Sequence, residues 1–279
     1  MAGGNYHFAA EPPIHHDAPH MPRSLASRSL EPLVAILWGL FLFWTAWVGA
    51  VWVGGLGAVS LGFIPGQPPP PDADLRRAVL LMANCADVAW LALALMNIHL
   101  VVMNAHGLRT ARLWLAIAVV GAFLIGVVNA RSGLPFGRLF FGEALGVMRF
   151  GVALGWVLLA AVLVLGGRGA VLWARPRASH ASVAVLTAAV VLLTMINLEW
   201  PSRVIRGWWW WHSGAARDLA PVPWTNWIAW FVWPLLAAFA MREKDVVSGV
   251  AFRSMKPAFI LALLNAVALA TRVRAWAQG

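Results

Sequence analysis

Long apolar runs recur along this chain and constrain its fold more than any other sequence feature. They lie at about residues 33–53, 78–104, 113–128, 144–165, 181–198, 224–241 and 257–270. An α-helix of roughly 20 residues crosses the roughly 30 Å hydrocarbon core of a bilayer and satisfies its own backbone hydrogen bonds there. The pattern therefore predicts an all-α, polytopic transmembrane helix bundle of about seven spans.

The composition excludes a water-soluble domain. Hydrophobic residues make up 61% of the 279 residues and charged residues 11%, against roughly a quarter charged in soluble domains. The formal net charge is +10, but the arginines are scattered among the loops rather than gathered in one stripe. This distribution favours contact with lipid headgroups and disfavours a nucleic-acid partner.

The N-terminal segment differs from the rest of the chain. Residues 1–31 are rich in proline and histidine and have no apolar period, so they predict a polar tail ahead of a transmembrane domain at 32–279. A flexible solvated tail is favoured over a metal site, because nothing fixes the geometry of its histidines. No span carries histidines at metal-ligand spacing, and we expect neither a metal site nor a cofactor. Cys85 is the only cysteine.

Ionisable side chains inside apolar runs are candidates for function. Asp87 is the deepest carboxylate, and Arg149, which falls in the predicted fourth span, is a candidate partner for it. The segment 168–175 is too short to span a membrane and predicts an interfacial element. Gly39 and Gly49 predict close helix contacts in the first span.

Two loops carry the strongest local patterns. The first, at 132–143, combines glycine, proline and aromatic residues, as a re-entrant or pocket-lining loop would. The second, at 199–230, contains four consecutive tryptophans at 208–211 and further tryptophans beyond Pro223. A helix would point four consecutive tryptophans in every direction, so part of this run is expected to line protein or ligand surface. With seven crossings, both loops lie on one membrane face.

Taken together, the two loops resemble a known family. The sequence Gly133-Leu134-Pro135-Phe136-Gly137 is followed some sixty residues later by an acidic residue before a proline, and then by Pro-Trp-x-Asn-Trp-x-x-Trp from Pro223. Their order and spacing are similar to those of the carotenoid biosynthesis membrane proteins that include bisanhydrobacterioruberin hydratase. The resemblance covers roughly residues 80–245.

The resemblance implies a polytopic enzyme of a bacterial cytoplasmic or intracytoplasmic membrane that adds water to the terminal double bond of an acyclic carotenoid. Its expected partners are the carotenoid and membrane lipid. The implied catalytic residues are Glu199 or Asp87 as general acid, with Asn226 orienting water or substrate. The implied substrate-binding residues are Pro135, Phe136, Gly137, Phe141, Trp208, Trp210, Pro223, Trp227 and Trp230.

The sequence also departs from the family pattern at positions that would supply protons. The pattern has an acidic residue about seven positions before the first glycine, where this chain has Gly126, and tyrosines after Pro-Phe-Gly, where it has Leu139 and Phe141. These departures support an alternative. The chain could instead be a non-catalytic pigment-binding subunit of a larger, for example photosynthetic, membrane complex.

Overall fold

The computed structural model describes residues 25–54, 73–211, 222–242 and 254–278, and over these residues the chain is mostly helical. The helices are α1 (Leu25–Val53), α2 (Ala73–Ser132), α3 (Leu154–Ala174), α4 (His180–Trp200), α5 (Trp224–Ala240) and α6 (Lys256–Gln278). Four short strands lie between helices: β1 (Leu139–Phe141), β2 (Met148–Arg149), β3 (Val152–Ala153) and β4 (Trp209–Trp211). A 3-10 turn forms at Glu143–Leu145, and a π-helical turn at Pro201–Ile205 extends α4.

Five helices of the described chain are long and apolar enough to cross a membrane. They are Glu31–Val53, Cys85–Ser132, Leu154–Ala174, His180–Ile205 and Lys256–Gln278. The second and third predicted runs form one 60-residue helix, α2, which is interrupted at Gly107 (φ 80°, ψ 164°). Glycine adopts this positive φ without the steric penalty of a Cβ, which explains why the break falls there.

One helix extends beyond its predicted span, whose start is close to that of the candidate span Glu31–Val53, and the predicted start of the fourth span was wrong. Helix α1 begins at Leu25, inside the predicted polar tail, whereas residues 1–24 and the proline run at 68–71 lie outside the described residues. Residues 144–153 form a 3-10 turn and two short strands rather than the start of a span, so the fourth span begins ten residues later than predicted.

The segment 168–175, predicted to be interfacial, is instead the last two turns of α3, and residue 175 is its C-cap. Three glycines in this part of α3, at 166, 167 and 169, are all buried. A Cβ added to Gly166 would lie 3.2 Å from Leu261 Cδ2, so glycine here lets α3 and α6 approach closely. Helix α3 is the central helix of the bundle, with 16 of its 21 residues buried.

Close helix contact occurs at glycines other than those predicted. Among the described residues, no atom of another element lies within 4 Å of a Cβ added to Gly39 or Gly49, so that prediction was wrong. A Cβ added to Gly121 would lie 2.1 Å from Cη2 of Trp233. The missing side chain at Gly121 therefore makes room for the indole of α5 against α2.

Candidate functional site

The two motif loops pair with each other through a short antiparallel ladder. Strand β1 aligns Leu139 with Trp211, Phe140 with Trp210 and Phe141 with Trp209. The last three tryptophans of the run are thus in extended conformation. Their burial alternates: Trp209 and Trp211 are buried, and Trp210 is half-buried. Trp210 stacks on the exposed ring of Phe140, with centroids 6.3 Å apart and planes 12° apart. A tertiary contact across roughly 70 residues therefore joins the two patterns.

Asn129, which sequence reasoning missed, holds the Pro-Phe-Gly loop in place. Its Oδ1 accepts from the Phe136 backbone N–H at 2.8 Å, and its Nδ2 donates to the Gly137 carbonyl at 3.0 Å. Trp211 Nε1 donates to the Phe136 carbonyl at 2.9 Å. An amide side chain in an otherwise apolar run just ahead of the motif was the available signal, because buried amides require partners.

Three of the six aromatic residues predicted to bind substrate form a packed cluster: Phe136, Phe141 and Trp230. The ring of Phe136 lies 5.3 Å from that of Trp156 and 5.5 Å from that of Trp230. Trp156 also contacts Trp230 at 5.9 Å and Phe141 at 5.8 Å. These separations are those of rings in mutual contact. The residues are brought together, with Trp156 of α3 as a further member, and their rings fill the space between them.

Pro223 lies against the same loop, and Asn226 is buried in the first turn of the helix that follows it. A Cβ added to Gly137, whose φ is +90°, would lie 2.9 Å from Pro223 Cγ, so glycine allows the proline of the second motif to close on the first. Asn226 is 2% exposed, and its Nδ2 has no hydrogen-bond partner among the described residues. A buried amide donor of this kind can orient a water molecule or a ligand oxygen. Trp227 is half-buried on the same helix.

Asp87, on α2, lies where α1 and the segment after α4 meet this helix. Its side chain is fully buried, and the contacts found for it among the described residues are all with hydrogen-bond donors. Trp52 Nε1 donates to Oδ1 at 2.9 Å, while Trp208 Nε1 donates to Oδ2 at 2.7 Å. Arg206 approaches Oδ2 through Nε and Nη2, both at 2.9 Å. The carboxylate therefore joins α1 to the tryptophan run.

The predicted pair between Asp87 and Arg149 was wrong. Arg149 is exposed on β2, and the hydrogen bond found for it goes to the neighbouring Met148 carbonyl at 3.4 Å. The charge partner is Arg206, which lies 119 residues from Asp87 in sequence.

Glu199 lies near the end of α4, beside α6. The residue is 6% exposed. Its Oε1 pairs with Arg203 Nε, one helical turn along, at 3.0 Å. The charge of Arg272 on α6 also reaches this carboxylate, and Arg272 Nη2 donates to the Ile196 carbonyl at 2.8 Å. A groove of about 370 Å³ begins at the next residue in sequence; it is lined by Trp200, Arg272, Ala275 and Trp276. Sequence reasoning missed Arg203, Arg272 and Trp276.

The family model of the carotenoid biosynthesis proteins matches residues 86–278 of the chain. This match includes both motif loops, Asp87, Glu199 and five of the six described helices. The chain belongs to the carotenoid biosynthesis protein family. No curated protein and no solved structure matches it.

The positions at which this chain departs from the family pattern, 126, 139 and 141, lie in close-packed apolar surroundings. A Cβ added to Gly126 would lie 2.9 Å from Val152 Cγ1 and 3.0 Å from Trp156 Cζ3. A carboxylate at position 126 would require Trp156 to move. Leu139 and Phe141 occupy β1, where Phe141 packs on Trp156. No contact among the described residues joins Asp87 or Glu199 to the cluster of Phe136, Phe141, Trp156 and Trp230.

Proposed function

We propose that this member of the carotenoid biosynthesis protein family adds water to the terminal double bond of an acyclic carotenoid, and that Glu199 donates the proton. The observation that carries the assignment is the position of Glu199: a buried carboxyl group whose neighbour in sequence, Trp200, and whose neighbouring charge, Arg272, both line an open, largely apolar groove. The half-exposed to exposed indoles of Trp200 and Trp276 form its walls. A polyene end group has the apolar character that such walls select.

The contacts of the two carboxyl groups favour Glu199 over Asp87 as the acid. A general acid must carry a proton before the reaction, and the surroundings of Asp87 consist of N–H donors directed at both of its oxygens. A proton on Asp87 would meet these donors and would leave the buried guanidinium of Arg206 without its counterion. Glu199 also has two cations near it, Arg203 in an ion pair and Arg272 at longer range, but the Arg203 side chain is 14% exposed and keeps access to water when Glu199 carries a proton.

The proposed reaction balances within this site. The Glu199 O–H proton passes to the less substituted carbon of the terminal alkene, which leaves a tertiary cation on the neighbouring carbon. Electron-rich indole faces, here those of Trp200 and Trp276, stabilise a cation at short range. A water molecule adds to the cation through its oxygen and returns one proton to the Glu199 carboxylate. The net change is addition of one water, and the acid is regenerated.

A second function is favoured by the cluster of Phe136, Phe141, Trp156 and Trp230. Gly126 offers no acid, and Leu139 and Phe141 offer no phenol, while the exposed Phe140–Trp210 stack presents a flat aromatic surface. These features suit a protein that binds a carotenoid or other pigment without converting it, as a subunit of a larger membrane assembly. The alternative predicts a bound, unmodified polyene.

One experiment separates the two functions. The full chain is expressed in a host that accumulates lycopene, and the extracted carotenoids are analysed by mass spectrometry for addition of water. Glu199→Gln, which keeps the size of the side chain, is expected to abolish the product, whereas Glu31→Gln, at an exposed position of α1, serves as the matched control. Unmodified carotenoid that co-purifies with the protein, with no hydrated product, would support the pigment-binding function and refute hydration. Product retained in Glu199→Gln would refute Glu199 as the donor.

We also propose that the chain crosses a bacterial cytoplasmic or intracytoplasmic membrane seven times. The candidate span Cys85–Ser132 has 48 residues, which corresponds to roughly 70 Å of helix, more than twice the thickness of a hydrocarbon core. Its interruption at Gly107 divides it into two crossings. Helix α5, with 17 residues, would supply the remaining one. Reporter fusions after Gly107 and after Ala240 should report the face opposite to fusions after Ser132, and equal signals would contradict this topology.

A further inference from the structure

A second cavity lies at the end of the bundle opposite the motif loops. Its volume is about 430 Å³, and its lining includes three basic side chains, Arg168, His180 and Arg242. It is formed where α3 and α5 end and α4 begins. Nineteen helical residues separate His180 from Glu199 on α4, which is roughly 30 Å. This cavity is therefore distinct from the groove beside Glu199, and nothing in the proposed hydration reaction uses it.

Arg168 is the most unusual member of this cavity. It lies within a candidate membrane span, Leu154–Ala174, yet its side chain is 1% exposed. Its guanidinium stands over the Trp114 ring, 4.6 Å from the centroid, and Nη1 donates to the Ala238 carbonyl at 3.2 Å. Ionisable groups within spans are costly, and they mark binding or transport sites more often than packing positions. The contacts with Trp114 and Ala238 hold the guanidinium at the cavity wall.

The other two basic residues approach from different elements. His180 Nε2 donates to the Phe239 carbonyl at 2.9 Å, which leaves Nδ1 of the ring for another partner. Arg242 follows the end of α5 and is exposed. His180 is also the first residue of α4, a 21-residue helix, so the positive end of the helix dipole adds to the field of the arginines. No acidic side chain lines the cavity among the described residues.

We propose that this cavity binds a phosphate group. Arginine guanidinium groups recognise phosphate oxygens through charge-assisted, often bidentate, hydrogen bonds. A phosphate group at the end of a membrane span has two sources, the headgroup of an anionic phospholipid and a soluble phosphate ion. The proposal concerns the shared chemistry, and the test distinguishes the sources. It is independent of the function proposed for Glu199.

The test measures binding to the purified full-length chain in neutral detergent by native mass spectrometry. The probes are short-chain phosphatidylglycerol, short-chain phosphatidylcholine and inorganic phosphate. Phosphatidylglycerol is expected to bind at least tenfold more tightly than phosphatidylcholine, whose headgroup carries its own cation. Arg242→Gln and Arg168→Gln should each weaken that binding about tenfold, the usual order for loss of one charge-assisted pair. Arg177→Gln, at an exposed arginine of the same α3–α4 turn, is the control and should bind as the unchanged chain does.

The outcomes divide cleanly. Phosphatidylglycerol binding that depends on Arg242 supports a lipid headgroup site, and equally tight, Arg242-dependent binding of inorganic phosphate supports a soluble ion at the same site. Since Arg168→Gln could disturb folding, Arg242→Gln and His180→Gln carry the test independently. Glu243 and Asp245 follow Arg242 outside the described residues. If neither phosphatidylglycerol nor inorganic phosphate binds more tightly than phosphatidylcholine, the proposal is overturned.

Discussion

Replacing Asp87 with asparagine should destabilise this protein far more than a change at a surface carboxylate. Asp87 is fully buried, and its Oδ2 accepts from Arg206 and Trp208 while Oδ1 accepts from Trp52. Asparagine supplies one acceptor oxygen and one amide. If the oxygen takes the position facing Arg206 and Trp208, the amide N–H groups face the Trp52 N–H, and two donors oppose each other.

The magnitude follows from the burial of the partner charge. The Arg206 side chain is 6% exposed, so it has little access to water once its counterion is lost. Breaking a buried ion pair by removing one partner destabilises a protein by about 3–5 kcal/mol. We expect Asp87→Asn to reduce the free energy of unfolding by an amount in this range. The helices should remain, because their backbone hydrogen bonds are internal to each segment.

The assay is reversible unfolding of the purified protein in mixed micelles as the fraction of denaturing detergent is raised, followed by circular dichroism. Asp87→Asn is compared with Glu31→Gln and with the double variant Asp87→Asn/Arg206→Gln. Removing the unpaired charge as well should recover about 0.5–3 kcal/mol of the loss, the usual coupling between residues in contact.

A small effect would refute this interpretation of Asp87. If Asp87→Asn unfolds within about 0.5 kcal/mol of the unchanged protein, which is the range of ordinary surface substitutions, the carboxylate does not hold the tryptophan run to α1. If Asp87→Asn is fully stable but the hydrated carotenoid disappears, Asp87 rather than Glu199 becomes the better candidate for the acid.

Two further substitutions test the packing. Gly121→Ala should destabilise the fold by about 1–3 kcal/mol, the usual range for overpacking, because its Cβ would overlap the Trp233 ring. The control is Gly39→Ala, where no atom of another described element lies within 4 Å. It should be neutral or slightly stabilising in the same unfolding assay. Asn129→Ala leaves the Phe136 N–H and the Gly137 carbonyl without their side-chain partner, which destabilises by about 1–3 kcal/mol per buried group. Hydrogen exchange at the Phe136 amide should become faster in Asn129→Ala. It should stay unchanged in Asn104→Ala, which changes an exposed asparagine of the same helix. Unchanged exchange in both variants would contradict the role of Asn129.

The helical class of this protein was predictable from the sequence because it depends on local composition. Apolar runs of about twenty residues must satisfy their backbone groups internally in a membrane, and a helix does this without help from the rest of the chain. The family was likewise predictable, since the glycines, prolines and aromatic residues of the two loops stand in a recognisable order. Boundaries were less predictable: α3 continues through Gly-Gly-Arg-Gly at 166–169, where Gly166 packs against Leu261 of α6 and Arg168 contacts Trp114 and Ala238 of two other helices.

The arrangement of the site was decided by contacts between distant residues. Local patterns placed Arg149 near Asp87, but the partner is Arg206, because the turn after α4 brings it back across the bundle. Four tryptophans in succession gave no indication that three of them form a strand against Leu139–Phe141, since strand pairing is settled by the partner strand. The space beside Gly126 is likewise filled by Trp156 from another helix. The sequence pattern by itself thus determined the helices and the family motifs. The charge partner of Asp87, the pairing of the tryptophan strand and the space beside Gly126 depend on contacts between residues far apart in sequence.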